Sequence, residues 1–167
     1  MNEFDGEMNA LQSSAYLEGR RCIVDAIILR NPRSIFTMQR SPHLKMFPSC
    51  WDLPGGHVEE GENLFDALAR EVEEETSWTV KEIKALISVN DWTYKSPGHG
   101  LVQYRQFSYA VTVSGDLDCP ILEDDKCEKF MWIQEDQSQL FLAHRDVGDT
   151  LMHKVVKASF QLNSLWA

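Results

Sequence analysis

Glu71, Glu74 and Glu75 stand at spacings i, i+3 and i+4. On a helix those spacings gather three carboxylates on one side, within about 5–6 Å of each other at Cβ. Like charges so placed repel one another, and partial burial raises the penalty. Hard divalent cations relieve both problems, and an all-oxygen carboxylate set suits Mg²⁺ or Mn²⁺. The spacing points to a metal-binding face before a merely solvated one.

The helix carrying these residues is legible around them. Asn63 is placed to act as its N-cap, and Asp66 three residues later completes a start resembling a capping box. On a wheel with Leu64 at zero, Phe65, Leu68, Ala69 and Val72 fall at roughly 100°, 40°, 140° and 80°, an apolar stripe for the core. Asp66, Glu73 and Arg70 fall near roughly 200°, 180° and 240° and are expected to face solvent. Glu75 and Glu71 land near roughly 20° and 340°, on the apolar arc, with Glu74 beside them near 280°. A solvated face accounts for the first three charges and fails for Glu71 and Glu75.

Net charge is concentrated in the same place. The chain has 167 residues with 16 Lys+Arg and 26 Asp+Glu, so its formal charge is 16 − 26 = −10. Between Gly56 and Trp78 there are eight acids and one base, which is 1 − 8 = −7 of that total. An acidic balance argues against nucleic acid as a partner, because neutralising its phosphates requires a Lys/Arg surface. At 43% hydrophobic and 25% charged residues, the chain is long and apolar enough for one domain with a core. No stretch approaches about 18 apolar residues, so no membrane span is expected. The start, MNEFDGE, lacks the basic residues and apolar run of a secretory signal. Cys22, Cys50, Cys119 and Cys127 form no CxxC pair, which suits free thiols in a reducing cytoplasm rather than a zinc site.

The elements that must position the acids follow from pattern. Residues 1–20 read as a polar, acidic lead-in peripheral to the core, and 21–167 as a single domain. Arg21–Arg30 (RCIVDAIILR) is a buried strand, returning through a turn at residues 31–34 into Ile35–Arg40 as a hairpin. Residues 41–50 are irregular, and Trp51–Gly56 is a short extended piece ending in a glycine turn. Val80–Val89 and Leu101–Val113 are strands separated by a loop, Asp91–Gly100. Lys129–Ile133 is a further strand, and Asp149 to about Asn163 is an amphipathic C-terminal helix. The sum is an α/β domain with a mixed sheet.

Gly56, then Glu62, then Arg70-Glu71-Val72-Glu73-Glu74-Glu75-Thr76-Ser77-Trp78 resembles the Nudix box, GX5EX7REUXEEXGU with U aliphatic. Ser77 replaces the final glycine, and Trp78 is an unusual last U. Glycine after a helix supplies a left-handed C-cap, and another residue there costs about 1 kcal/mol. The resemblance implies an α/β/α sandwich with a mixed sheet. It further implies that Glu71, Glu74, Glu75 and the carbonyl of Gly55 hold Mg²⁺, with Mn²⁺ as a substitute, and that Glu62 and Arg70 form a structural pair. The activity it implies is metal-dependent hydrolysis of a phosphoanhydride in a nucleoside diphosphate linked to another moiety, with Glu71 and Glu74 catalytic.

Several roles stay open at this level. Glu71 is the first choice as general base, with Glu123, Asp124, Asp125 and Glu128 as alternatives. Arg40 and Arg105 are candidates for phosphate contact, and Trp92, with Tyr94, for stacking a base. His57 directly follows the glycine turn and is a further ligand-contact candidate, with a structural role as the alternative. The rival to an enzyme is an idle protein of the same fold that binds a nucleotide-like ligand as a sensor. A homodimer is compatible with either reading.

Overall fold

The computed structural model describes residues 3–167, so the first two residues of the expected lead-in lie outside the described part. In chain order the elements are α1 (Glu3–Leu17), β1 (Arg21–Arg30), β2 (Ser34–Arg40), β3 (Trp51–Asp52), β4 (Gly55–His57), α2 (Leu64–Thr76), β5 (Thr79–Ser96), β6 (Gly100–Ser114), β7 (Cys127–Ile133) and α3 (Leu151–Gln161). Short 3₁₀ turns at Glu135–Leu142 and Asn163–Trp166 flank α3.

β1 is central because seven of its ten side chains are apolar and both faces are covered. Val24, Ala26 and Ile28 join the core under α2, while Ile27 and Leu29 join a second core under α3. One edge of β1 pairs with β6 in parallel, from Arg21↔Tyr104 to Ile28↔Val111. The other edge is shared, pairing with β4 over Ile23–Asp25 and with β2 at Leu29 and Arg30. β5 completes one side against β6, and β3 and β7 both pair with β2. The sheet is mixed, with helices on both faces: an α/β sandwich.

Three expectations are corrected. The loop Asp91–Gly100 is mostly strand: Trp92 pairs with Tyr104 and Tyr94 with Val102, and only residues 97–99 turn. Thr, Tyr and Trp favour strand, and the Pro and Gly residues that predict a loop sit only at its tip. The N-terminal lead-in is not peripheral. Phe4, Met8, Leu11 and Ala15 fall on one helical face, and Met8 and Ala15 are fully within the core. On α2 the buried arc is rotated from the expected stripe, since Phe65 is 37% exposed while Ala67, Glu71, Glu75 and Thr76 are buried. The two glutamates sit in the middle of the buried face.

Candidate active site

α2 begins as its cap residues require. The Asn63 carboxamide oxygen accepts the Asp66 backbone N–H at 2.8 Å, and its amide donates to the Asp66 carboxylate at 2.7 Å. It ends at Ser77, whose backbone is left-handed (φ 60°, ψ 20°) and whose N–H donates to the Glu73 carbonyl at 2.8 Å. The serine takes the conformation glycine would have taken. Trp78 then turns into the core, edge-on to Phe36 at 4.8 Å and donating from Nε1 to the Asp116 carbonyl.

Along α2, Glu71 and Glu75 are buried and Glu74 is exposed. Burial raises the pKa of Glu71 above its ordinary value and pushes that of Glu75 up to about 8. Glu75 Oε2 accepts the Gly55 N–H at 2.8 Å. Arg70 was expected to point to solvent, but the glutamates and loop fold it inward. Its Nε and Nη2 grip both Glu62 oxygens at 2.8 and 3.0 Å, and Nη2 also donates to the His57 carbonyl. Its Nη1 reaches Glu71 Oε1 at 2.7 Å and stands 3.4 Å from Glu74. Glu62 is correspondingly more acidic than usual, held down by the guanidinium.

The glycines of the turn have steric causes. A Cβ on Gly55 would run into the Val24 carbonyl and the Asp25 backbone, and one on Gly56 into the Glu71 carboxylate. Close approach of β4 to both β1 and α2 depends on their absence.

These groups form one wall of a cleft of about 670 Å³. Asp25 lies on its floor, fully buried, with both carboxylate oxygens accepting the Ser108 hydroxyl at 2.8 and 3.1 Å. Burial pushes Asp25 up to about 7. Gln106 accepts from Trp92 Nε1 at 2.8 Å, and Phe47 and Trp92 meet edge to face at 6.0 Å. Arg40 lines the cleft too, donating from Nε and Nη2 to the Met46 carbonyl.

Of the sequence candidates, Gly55, Arg70, Glu71, Glu74, Glu75, Arg40, Trp92, Tyr94 and His57 therefore share one cleft. Arg105 does not line it. It alternates with the inward-facing Tyr104 and Gln106, and pairs on the far side with Asp91 at 2.7 Å and Glu18 at 2.8 Å. Asp25 and Arg145 were missed. A lone acid inside the apolar run RCIVDAIILR was a readable signal for the first; Arg145 lies in an irregular segment whose sequence carries none.

The donor chemistry of this wall fits a hard divalent cation: carboxylate oxygens, two of them buried where ionisation is disfavoured. Among the described residues, no three His, Cys, Asp or Glu side chains already converge in ligating geometry. Arg70 supplies the positive charge to Glu71 here. Among the described residues, no helix is long and apolar enough to cross a membrane.

A family model described as NUDIX domain matches residues 19–154. The chain belongs to that family. Over 69 residues it is 38% identical to an m7GpppN-mRNA hydrolase, NUDT17, of Xenopus laevis, covering 40% of this chain and 23% of that one. It is 24% identical over 120 residues to the nucleoside triphosphatase NudI of Salmonella schwarzengrund, covering 68% of this chain and 82% of the relative. A NUDIX hydrolase from Nitrosomonas europaea superposes with a TM-score of 0.66 at 22% identity, covering 85% of this chain and 89% of its own, a likeness of fold. Matching stretches span only 23% to 39% of the length of four of the curated relatives.

Proposed function

We propose that the chain hydrolyses a phosphoanhydride bond in a nucleoside diphosphate linked to another moiety, using divalent metal held by Glu71, Glu74, Glu75 and the Gly55 carbonyl. The observation that carries this is the pair of buried, i/i+4 carboxylates on α2 facing a cleft large enough for a nucleotide. Two such acids are costly unless an external cation shares their charge, and a polyphosphate cannot approach them without one.

Magnesium, or manganese in its place, would polarise the phosphoryl oxygens and bring a water to the scissile phosphorus. Glu71, its pKa raised by burial, accepts the proton of the attacking water. Arg70, clamped by Glu62, keeps the loop from His57 to Glu62 fixed against α2. Gly55 and Gly56 let the backbone of β4 approach the carboxylates closely.

Replacing Glu74 or Glu75 with Gln tests the assignment. Each substitution abolishes metal-dependent turnover while the protein stays folded by circular dichroism; retained activity in either contradicts it.

A further inference from the structure

Arg145 is the most deeply buried cation of the cleft, with its side chain 3% exposed against 24% for Arg70 and 26% for Arg40. It is also incompletely partnered. Its Nη2 donates to the Trp51 carbonyl at 3.1 Å and its Nη1 to Asp149 Oδ2 at 3.4 Å, while Asp52 stands at 3.9 Å. Its Nε is buried and donates to nothing among the described residues. Arg70, in the same cleft, grips both oxygens of Glu62. A buried guanidinium N–H left without an acceptor is expensive, and a further anion in the cleft would complete it.

Asp52 adds a second arginine. Arg40 Nη1 lies 3.8 Å from one Asp52 oxygen and Arg145 Nη2 lies 3.9 Å from the other. Neither is a hydrogen bond, so Asp52 sets the two guanidinium groups side by side without saturating either. Instead, Asp52 Oδ1 accepts the Leu53 N–H at 2.9 Å. Phe47 covers Arg145, its ring centroid 5.3 Å from the guanidinium carbon.

Backbone strain gathers at the same spot. Phe47, Ser49 and His144 all have left-handed backbones, with φ of 50°, 60° and 63°, and none is glycine. Two strained segments thus meet over one under-satisfied cation, an arrangement typical of ligand clamps.

We propose that Arg145, with Arg40 beside it, docks a phosphate of the substrate lying beyond the scissile pyrophosphate. The cleft thereby selects nucleoside triphosphates over nucleotides whose second moiety is uncharged, such as nucleotide sugars. This rests on reading the glutamate wall as the phosphoanhydride-cleaving site. A neutral sugar offers a buried guanidinium only uncharged hydroxyl acceptors, whereas a terminal phosphate oxygen accepts the free Nε–H in a charge-assisted bond and meets the positive charge of both arginines.

The test is calorimetric binding to the full chain in Mg²⁺. The probes are a non-hydrolysable α,β-methylene nucleoside triphosphate and the matching nucleoside diphosphate sugar. Wild type favours the triphosphate by about tenfold or more, and Arg145→Gln brings the ratio close to one. If Arg145→Gln does not fold, Arg145→Lys is read in its place. It keeps the charge but lacks Nε–H, and narrows the ratio severalfold. A wild-type protein without the preference, or a folded variant that keeps it in full, overturns the proposal. Turnover is measured separately on wild type: its absence would count against the hydrolytic reading, while the binding ratio would still decide the role of Arg145.

Discussion

Glu75 accepts the Gly55 backbone N–H at 2.8 Å, joining the last turn of α2 to strand β4. The bond fixes the carboxyl against the sheet but leaves it far from ordinary carboxylate chemistry, since burial pushes its pKa from 4.5 up to about 8. A native acid with a raised pKa contributes stability that is full below its unfolded value and lost as pH rises through the folded one. For Glu75 that window runs from about 4.5 to about 8.

Without metal, stability to urea declines from pH 5 to pH 8.5. Added Mg²⁺ restores it most at the alkaline end, because the cation binds the ionised form. Melting temperatures with and without Mg²⁺ at pH 5 and pH 8.5 check this; an equal increment at both contradicts it.

Asp25 makes a related contribution from the cleft floor. Burial raises it from 3.8 to about 7, so its share of stability fades as pH climbs between those values. Asp25→Asn flattens that part of the profile and leaves the higher window of Glu75 in place. Urea midpoints of the variant at pH 4, 6 and 8 give the answer, and an unchanged slope below pH 7 counts against the assignment.

Ser77 occupies a left-handed position at φ 60°. Ser77→Gly removes the Cβ conflict and stabilises the fold by about 1 kcal/mol, less the extra freedom glycine gains when unfolded. No rise in urea midpoint would mean the serine is better accommodated than its backbone angle implies.

Gly55 and Gly56 separate folding from chemistry. An added Cβ at Gly55 meets backbone, which cannot yield, so Gly55→Ala costs roughly 2 kcal/mol or more of stability. At Gly56 it meets the Glu71 carboxylate, which can swing aside. Gly56→Ala therefore folds but loses turnover by about tenfold or more, because Glu71 leaves its place. Equal loss of stability in both variants contradicts this division.

Much of the site could be read before any coordinates, because a helix converts spacing directly into a face. Glu71, Glu74 and Glu75 are close in sequence, and three-residue arithmetic brings them together. The buried arc of α2 is rotated from the apolar stripe by only about half a residue's step, roughly 50°, away from Phe65 and Ala69, since a wheel weighs apolarity and ignores what the neighbouring sheet covers. Pro97 and Gly98 are strong local breakers and predict a loop around Trp92 and Tyr94, whereas pairing with Tyr104 and Val102 is a long-range choice. Arg145 and Asp52 lie far apart in sequence and meet only through the fold. No local pattern could have joined them.

The central claim is metal-dependent cleavage at the α2 carboxylates. The most direct measurement is release of nucleotide products from nucleoside triphosphates, nucleotide sugars, dinucleoside polyphosphates and ADP-ribose. Each is assayed with Mg²⁺, with Mn²⁺ and in EDTA. The account predicts turnover of at least one class with metal and none in EDTA. Turnover that persists in EDTA, or tight binding of one class with no turnover under any condition, would contradict it, the second result pointing to a sensor.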